Sequence, residues 1–278
     1  MEKINWKETM LPDTNPDVRL LVPEKNKAPN GRAILVLPGG GYFTFSNSDR
    51  NIIPMWYQEH GYTCFVLLYS VREYAHYPAP LLDASKAVWY IRSHAEEYGI
   101  DPDQIIVMGF SAGAHVAAML AAAWHKEFST KGTDIPYGGN RPNATVTGFT
   151  PTEFESFYEK NGADAKGPEM VMNENDEVFR DITSLTATNY ISELTPPAFL
   201  WKTSADVPES TTEYYRMCKK YHVPCEIHIF TDPNRCVGMH FDQELYPDDD
   251  VSKYSLNTAM WPQMSLNWLE MIFAGKGE

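Results

Sequence analysis

The 278-residue chain has no run approaching the roughly 20 apolar residues that a membrane-crossing helix needs. Its first residues, Met1-Glu2-Lys3-Ile4-Asn5-Trp6, contain neither the apolar core nor the small-residue cleavage site of a secretory leader. A cytoplasmic protein is therefore expected. Cysteine is scarce: Cys64, Cys218, Cys225 and Cys236 lack the tight paired spacings of a zinc site and do not make a disulfide framework in a chain this long. Reduced structural thiols fit the same compartment. Positive charge is scarce too. Lys plus Arg number 23 against 37 Asp plus Glu, a formal net charge of −14, and partners such as nucleic acid or anionic lipid need a basic footprint. Neutral substrates are not repelled. Repeats, low-complexity tracts and a second domain are also missing, so residues 1–278 are expected to form one domain, and a homo-oligomer is compatible with this.

What is present is an alternation of short apolar runs with helical patterns, which predicts an α/β fold with a mostly parallel central sheet flanked by helices on both faces. Strands are expected at Val18–Val22, Ala33–Leu37, Thr63–Tyr69, Ile105–Met108, Thr145–Phe149, Pro197–Thr203 and Cys225–Phe230. Continuous apolar runs such as Ala33-Ile34-Leu35-Val36-Leu37 mark strands covered on both sides. Helices are expected at Ser48–His60, Ala79–Tyr98, Ala112–Trp124, Glu209–Tyr221 and Met260–Ala274. Gly61 and Gly99 stand where helix stops belong. Between about 125 and 194 the periodicity loosens, and an insertion near the functional site, a lid or cap excursion, is expected there.

Two glycine-rich turns carry the chemistry. Gly109-Phe110-Ser111-Ala112-Gly113 fits G-x-S-x-G, and it joins a predicted strand directly to a predicted helix, the context a nucleophile elbow requires. Ser111 is the expected nucleophile. Gly39-Gly40-Gly41 follows an earlier buried strand, where an oxyanion hole belongs; Gly40, Gly41 and Ala112 are the expected N–H donors. A nucleotide-phosphate loop is the rival reading and fits poorly, because neither G-x-G-x-x-G nor a Gly-Lys-Ser/Thr ending is present. Chain order in this architecture runs serine, acid, histidine. Asp206, just past the Pro197–Thr203 strand, is the expected acid, with Glu209 and Asp232 as competitors. His240 alone among eight histidines follows the Cys225–Phe230 strand, and is the expected base. His115, one helical turn after Ser111, is expected to pack. His240 would take the Ser111 proton as the serine attacks an ester carbonyl, Asp206 would hold the imidazole, and water would then release the acyl group. No organic cofactor or metal is called for.

Leu37-Pro38-Gly39-Gly40-Gly41-Tyr42, Tyr77-Pro78-Ala79, Tyr98-Gly99-Ile100-Asp101-Pro102, and Val107-Met108-Gly109-Phe110-Ser111-Ala112-Gly113-Ala114-His115 together resemble the acetylxylan-esterase-like, or xylanase-B-like sugar hydrolase, branch of the α/β-hydrolases. Thr195-Pro196-Pro197-Ala198-Phe199-Leu200-Trp201, Trp261-Pro262 and Trp268-Leu269 extend the match over about residues 30 to 270. The resemblance implies an α/β-hydrolase fold and a serine esterase that removes short acyl groups, acetyl above all, from carbohydrate such as xylo-oligosaccharides. Its substrate would be a small-molecule or oligosaccharide ester. Departures from the family pattern are the short step from Asp206 to Val207-Pro208 and Phe241 after the histidine, where glycine is usual. Tyr42 and Trp201 are candidate sugar-stacking residues, against the commoner core role of aromatics. A serine peptidase or amidase, or a carboxylesterase of non-carbohydrate esters, would use the same triad; a non-catalytic binding protein would have no need to keep it.

Overall fold

A computed structural model describes residues 3–24, 29–153, 168–234 and 255–274. Eight strands among them form one sheet: β1 (Trp6–Thr9), β2 (Arg19–Pro23), β3 (Ala33–Leu37), β4 (Thr63–Leu68), β5 (Ile105–Phe110), β6 (Ala144–Gly148), β7 (Ala198–Thr203) and β8 (Cys225–Phe230). Their order is β1-β2-β4-β3-β5-β6-β7-β8. The β1–β2 and β2–β4 pairs are antiparallel, and every pair from β4 to β8 is parallel. The expected mostly parallel sheet is present.

Because side chains alternate across a strand, each central strand feeds two cores. Leu35 and Leu37 of β3 and Val107 of β5 join one core with helices α2 (Ala79–Ser93), α4 (Ala112–Ala123) and α5 (Pro208–Lys220). Ile34 and Val36 of β3, Met108 of β5 and Trp201 of β7 join the other with α1 (Asn47–Glu59) and α6 (Trp261–Phe273). Fully burying one such aliphatic side chain contributes about 1.5–3 kcal/mol, so these paired layers hold the sheet. Every residue of α4 is buried. A helix apolar on all sides belongs in an interior, and this one lies beneath the elbow.

The structure corrects one local expectation, the single long helix over Ala79–Tyr98, and adds two features to the reading. The antiparallel edge strand β1 gives no sequence signal, because Trp6-Lys7-Glu8-Thr9 is half exposed and carries two charges. The helix expected over Ala79–Tyr98 breaks at His94, and a single turn, α3 (Ala95–Tyr98), ends on Gly99 in the left-handed conformation, φ 63°. Finally, β6 lies inside the loosened segment yet pairs with both β5 and β7 at the sheet's centre. Residues 154–167 of that segment lie outside the described residues. Its later part supplies Val171, Phe179, Leu185 and Ala187 to the first core.

Candidate active site

β5 ends at Phe110 and α4 begins at Ala112, so Ser111 alone turns the chain. Its φ of 51° and ψ of −119° fall in a region that L-residues avoid, at a cost of order 1–3 kcal/mol. The Ser111 N–H donates to Gly148 O at the end of β6 (3.1 Å), and Ser111 O accepts from the His115 N–H (3.0 Å). The flanking glycines allow this closeness. A Cβ on Gly109 would come within 2.6 Å of the Gly113 carbonyl carbon, and one on Gly113 would overlap the Leu37 carbonyl and reach 2.7 Å from Pro38 O. Hence elbow and glycine loop interlock. A Cβ on Gly39 would lie 3.2 Å from that of Ser111.

The glycine loop is held from several sides. The Gly39 N–H donates to Asp49 Oδ2 (2.9 Å), and the Tyr69 hydroxyl donates to Pro38 O (2.8 Å). Phe43 and Thr44 N–H groups turn back to Gly40 O (3.0 and 3.2 Å), and Ser46 N–H to Gly39 O (2.7 Å). Tyr42 takes a left-handed φ of 62°, and its carbonyl accepts from the Arg72 N–H (2.7 Å). With Gly39 engaged, the N–H groups of Gly40, Gly41 and Ala112 donate to no protein acceptor among the described residues, as is also true of Gly113 and Ala114 in the first turn of α4.

Asp206 sits in the turn after β7, with its side chain almost wholly buried and its Oδ2 3.4 Å from the equally buried Lys202 Nζ. Lys202 also donates to Val207 O (2.8 Å) and Ser210 Oγ (3.0 Å). Of the two competitors, Glu209 is exposed in the first turn of α5. Asp232 is buried after β8 and accepts from the Asn234 N–H (2.8 Å), Asn234 Nδ2 (3.0 Å), the Ser255 N–H (2.9 Å) and Thr258 Oγ1 (2.9 Å). Burial alone would raise its pKa; the hydrogen bonds from Asn234, Ser255 and Thr258 outweigh this and hold it below the ordinary value. Four donors make Asp232 a fastener between β8 and the approach to α6. His240 lies outside the described residues, as does Cys236.

The stacking roles considered for Tyr42 and Trp201 do not fit their placement. Trp201 is 0% exposed and lies on Trp261 with ring centroids 5.1 Å apart, between the sheet and α6. Tyr42 is 3% exposed, and its hydroxyl meets His115 Nδ1 (2.6 Å) and the Tyr77 hydroxyl (3.0 Å). The His115 ring is fully buried, as its place on the nucleophile helix suggested, and its Nε2 lies 2.6 Å from Leu185 O. A carbonyl only accepts, so Nε2 carries the proton and Nδ1 accepts from Tyr42. Burial pushes the His115 pKa down to about 4, against the smaller opposing effect of the Leu185 hydrogen bond. Sequence reading missed this cluster and the Lys202–Asp206 pair. Tyr42 stood out only as an aromatic beside the glycines, and a lysine within an apolar strand gives no hint of its partner.

Sheet order, the strained serine elbow and the interlocked glycine loop define the α/β-hydrolase fold. The chain belongs to the BD-FAE family, whose model matches residues 18–214. It is 30% identical to endo-1,4-beta-xylanase B of Butyrivibrio fibrisolvens over 205 residues, covering 71% of this chain and 31% of the xylanase. It is 26% identical to the acetylxylan esterase of Xylanibacter ruminicola over 226 residues, covering 76% of this chain and 42% of that esterase. The chain thus spans less than half the length of either relative. Among solved structures, an acetyl ester-xyloside bifunctional hydrolase from Caldicellulosiruptor lactoaceticus superposes with a TM-score of 0.73 at 28% identity, covering 98% of this chain and 96% of that one. The resemblance read from the sequence is borne out at this level. No helix among the described residues is long and apolar enough to cross a membrane.

Proposed function

We propose that the protein is a serine carboxylesterase that removes short acyl groups, acetyl foremost, from carbohydrate such as xylo-oligosaccharides. The observation that carries the chemistry is the pairing of a strained Ser111 with three N–H groups, those of Gly40, Gly41 and Ala112, that have no protein acceptor among the described residues. Donors of this kind hold the oxyanion of a tetrahedral intermediate, and removing one side-chain donor from such a hole costs about 3 kcal/mol in mutational tests. Ser111 attacks the ester carbonyl, and His240 takes its proton and returns it to the leaving alcohol. Asp206 orients the imidazole and stabilises its cation. Water then repeats the cycle on the acyl-enzyme. Asp206 is favoured over Asp232 by its position in the turn directly after β7, where the acid belongs in the chain order of this architecture, while Asp232 follows β8 and ties it to the approach to α6. The acetyl and carbohydrate assignment draws on two of the relatives, an acetylxylan esterase and an acetyl ester-xyloside hydrolase.

The test is hydrolysis of p-nitrophenyl acetate, butyrate and octanoate, with acetate release from acetylated xylo-oligosaccharide in parallel. Wild type should prefer acetate and deacetylate the sugar. Ser111→Ala should lose both activities by several orders of magnitude. Turnover of short esters without the sugar would keep the chemistry and overturn the substrate. A Ser111→Ala variant equal to wild type would overturn the mechanism.

A further inference from the structure

Tyr42 follows Gly40 and Gly41 directly and holds a left-handed backbone, φ 62°, that a bulky residue keeps only when its surroundings fix it. Its carbonyl accepts from the Arg72 N–H (2.7 Å), and its hydroxyl meets the Tyr77 hydroxyl (3.0 Å) and the His115 ring (2.6 Å). The His115 contact reaches the nucleophile's own helix. His115 lies on α4 one turn beyond Ser111, and its N–H donates to Ser111 O (3.0 Å). The far side of the ring is tied to Leu185 O (2.6 Å), in the one-turn 3-10 helix Ile182–Leu185. The glycine loop, the nucleophile helix and the segment after β6 therefore meet on one imidazole. Rings crowd around it: Tyr42 stands edge-on to His115 at 6.1 Å between centroids, and Tyr77 lies 5.5 Å away.

Resting on the esterase reading above, we infer that His115 and Tyr42 are positioning residues for the oxyanion hole. The Tyr42–His115 hydrogen bond locks the Gly40 and Gly41 N–H groups to the same rigid body that carries Ser111. Oxyanion stabilisation depends on donors standing 2.7–3.1 Å from where the charge develops, and small misplacements there lower the rate more than they lower substrate binding. The ring is buried and never reaches substrate. It remains neutral, because the lone pair on Nδ1 must stay free to accept the Tyr42 proton; its depressed pKa, about 4, agrees with this. The Tyr77 hydroxyl, 3.3 Å from the same nitrogen, offers a replacement donor if the Tyr42 hydroxyl is removed, so the fold should survive that change.

The experiment compares wild type with Tyr42→Phe, His115→Asn and His115→Leu. It measures kcat and KM for p-nitrophenyl acetate, affinity for a trifluoromethyl ketone that forms a tetrahedral adduct on the serine, and the thermal midpoint. Tyr42→Phe should lower kcat and ketone affinity about tenfold, with KM within about twofold and the midpoint within a few degrees. His115→Asn places an amide acceptor near the Nδ1 position and should recover most of kcat relative to His115→Leu. If Tyr42→Phe and His115→Leu keep wild-type kcat and ketone affinity while only the midpoint falls, the network is structural and the inference is overturned. Should His115→Leu fail to fold, Tyr42→Phe and His115→Asn still decide, since the Tyr77 hydroxyl can serve the ring in the first and an amide replaces the ring in the second. Failure of the esterase reading is a separate outcome, visible as wild-type protein without Ser111-dependent turnover; it removes the inference with it.

Discussion

At the scale of single residues, the site is built from conformations the chain would otherwise avoid. Ser111, at φ 51°, holds its strain because Gly109, Gly113 and the Leu37 carbonyl leave the turn nowhere to relax. Glycine carries no Cβ penalty there, so Ser111→Gly should be roughly 1 kcal/mol more stable than Ser111→Ala, while both are inactive. Thermal unfolding of the two variants side by side measures this, and a less stable glycine variant would show that the turn is relaxed. His115 makes a second prediction. Its folded pKa, about 4, lies below the usual value, so its contribution to stability is whole above pH about 6.5 and is lost as pH falls toward about 4. Between pH 7 and 4.5 this one ring should cost roughly 2 kcal/mol, since each tenfold change in proton affinity is worth about 1.4 kcal/mol. Urea unfolding at both pH values should show a smaller loss for His115→Asn than for wild type.

At the scale of elements, the two acidic candidates separate by what each carboxylate holds. Asp232 ties β8 to the approach to α6 through four donors, so Asp232→Ala should cost roughly 3 kcal/mol of stability by leaving buried donors unpaired. Asp206→Asn removes the counter-charge of the buried Lys202 and should also lower the thermal midpoint, but kcat of the protein that remains folded should fall by orders of magnitude, far more than in Asp232→Asn. Equal activity loss in properly folded Asp232→Asn, with Asp206→Asn active, would exchange their roles. This same scale shows what could be read in advance. Strands buried on both faces, such as β3 and β5, were legible because an uninterrupted apolar run has few other homes, and the turns after them exposed Ser111 and the glycine loop. β1 was not, since an edge strand with one solvent face and Lys7-Glu8 in its middle shows neither an apolar run nor clean alternation. β6 was read as a short strand but not as central, because Ala144-Thr145-Val146-Thr147-Gly148 hides polar threonines inside the sheet. Contacts between distant elements, Lys202 with Asp206 or Tyr42 with His115, leave no periodic trace at all.

At the scale of the whole molecule, a formal charge of −14 sets a field that every approaching substrate meets. A negatively charged acyl group should be disfavoured relative to a neutral one of similar size. The ratio of kcat/KM for p-nitrophenyl acetate to that for p-nitrophenyl hemisuccinate should exceed one at low salt and fall as NaCl is raised from about 10 to 300 mM, since screening lengths shrink from roughly 30 Å to below 10 Å over that range. A ratio indifferent to salt would place the preference in the pocket's shape instead.

The interlock of the two glycine turns also bears on how such a protein can diverge. Gly113 lies beneath the carbonyls of Leu37 and Pro38, and Gly109 against Gly113, so these two positions admit nothing larger without moving the strand that carries the oxyanion loop. Gly41 has open space where a side chain would go, although its φ of 62° admits only residues that tolerate the left-handed region, asparagine first among them. A mutagenesis library should therefore lose folded protein at Gly109 and Gly113 and tolerate asparagine at Gly41, because only the first two positions are closed by backbone atoms.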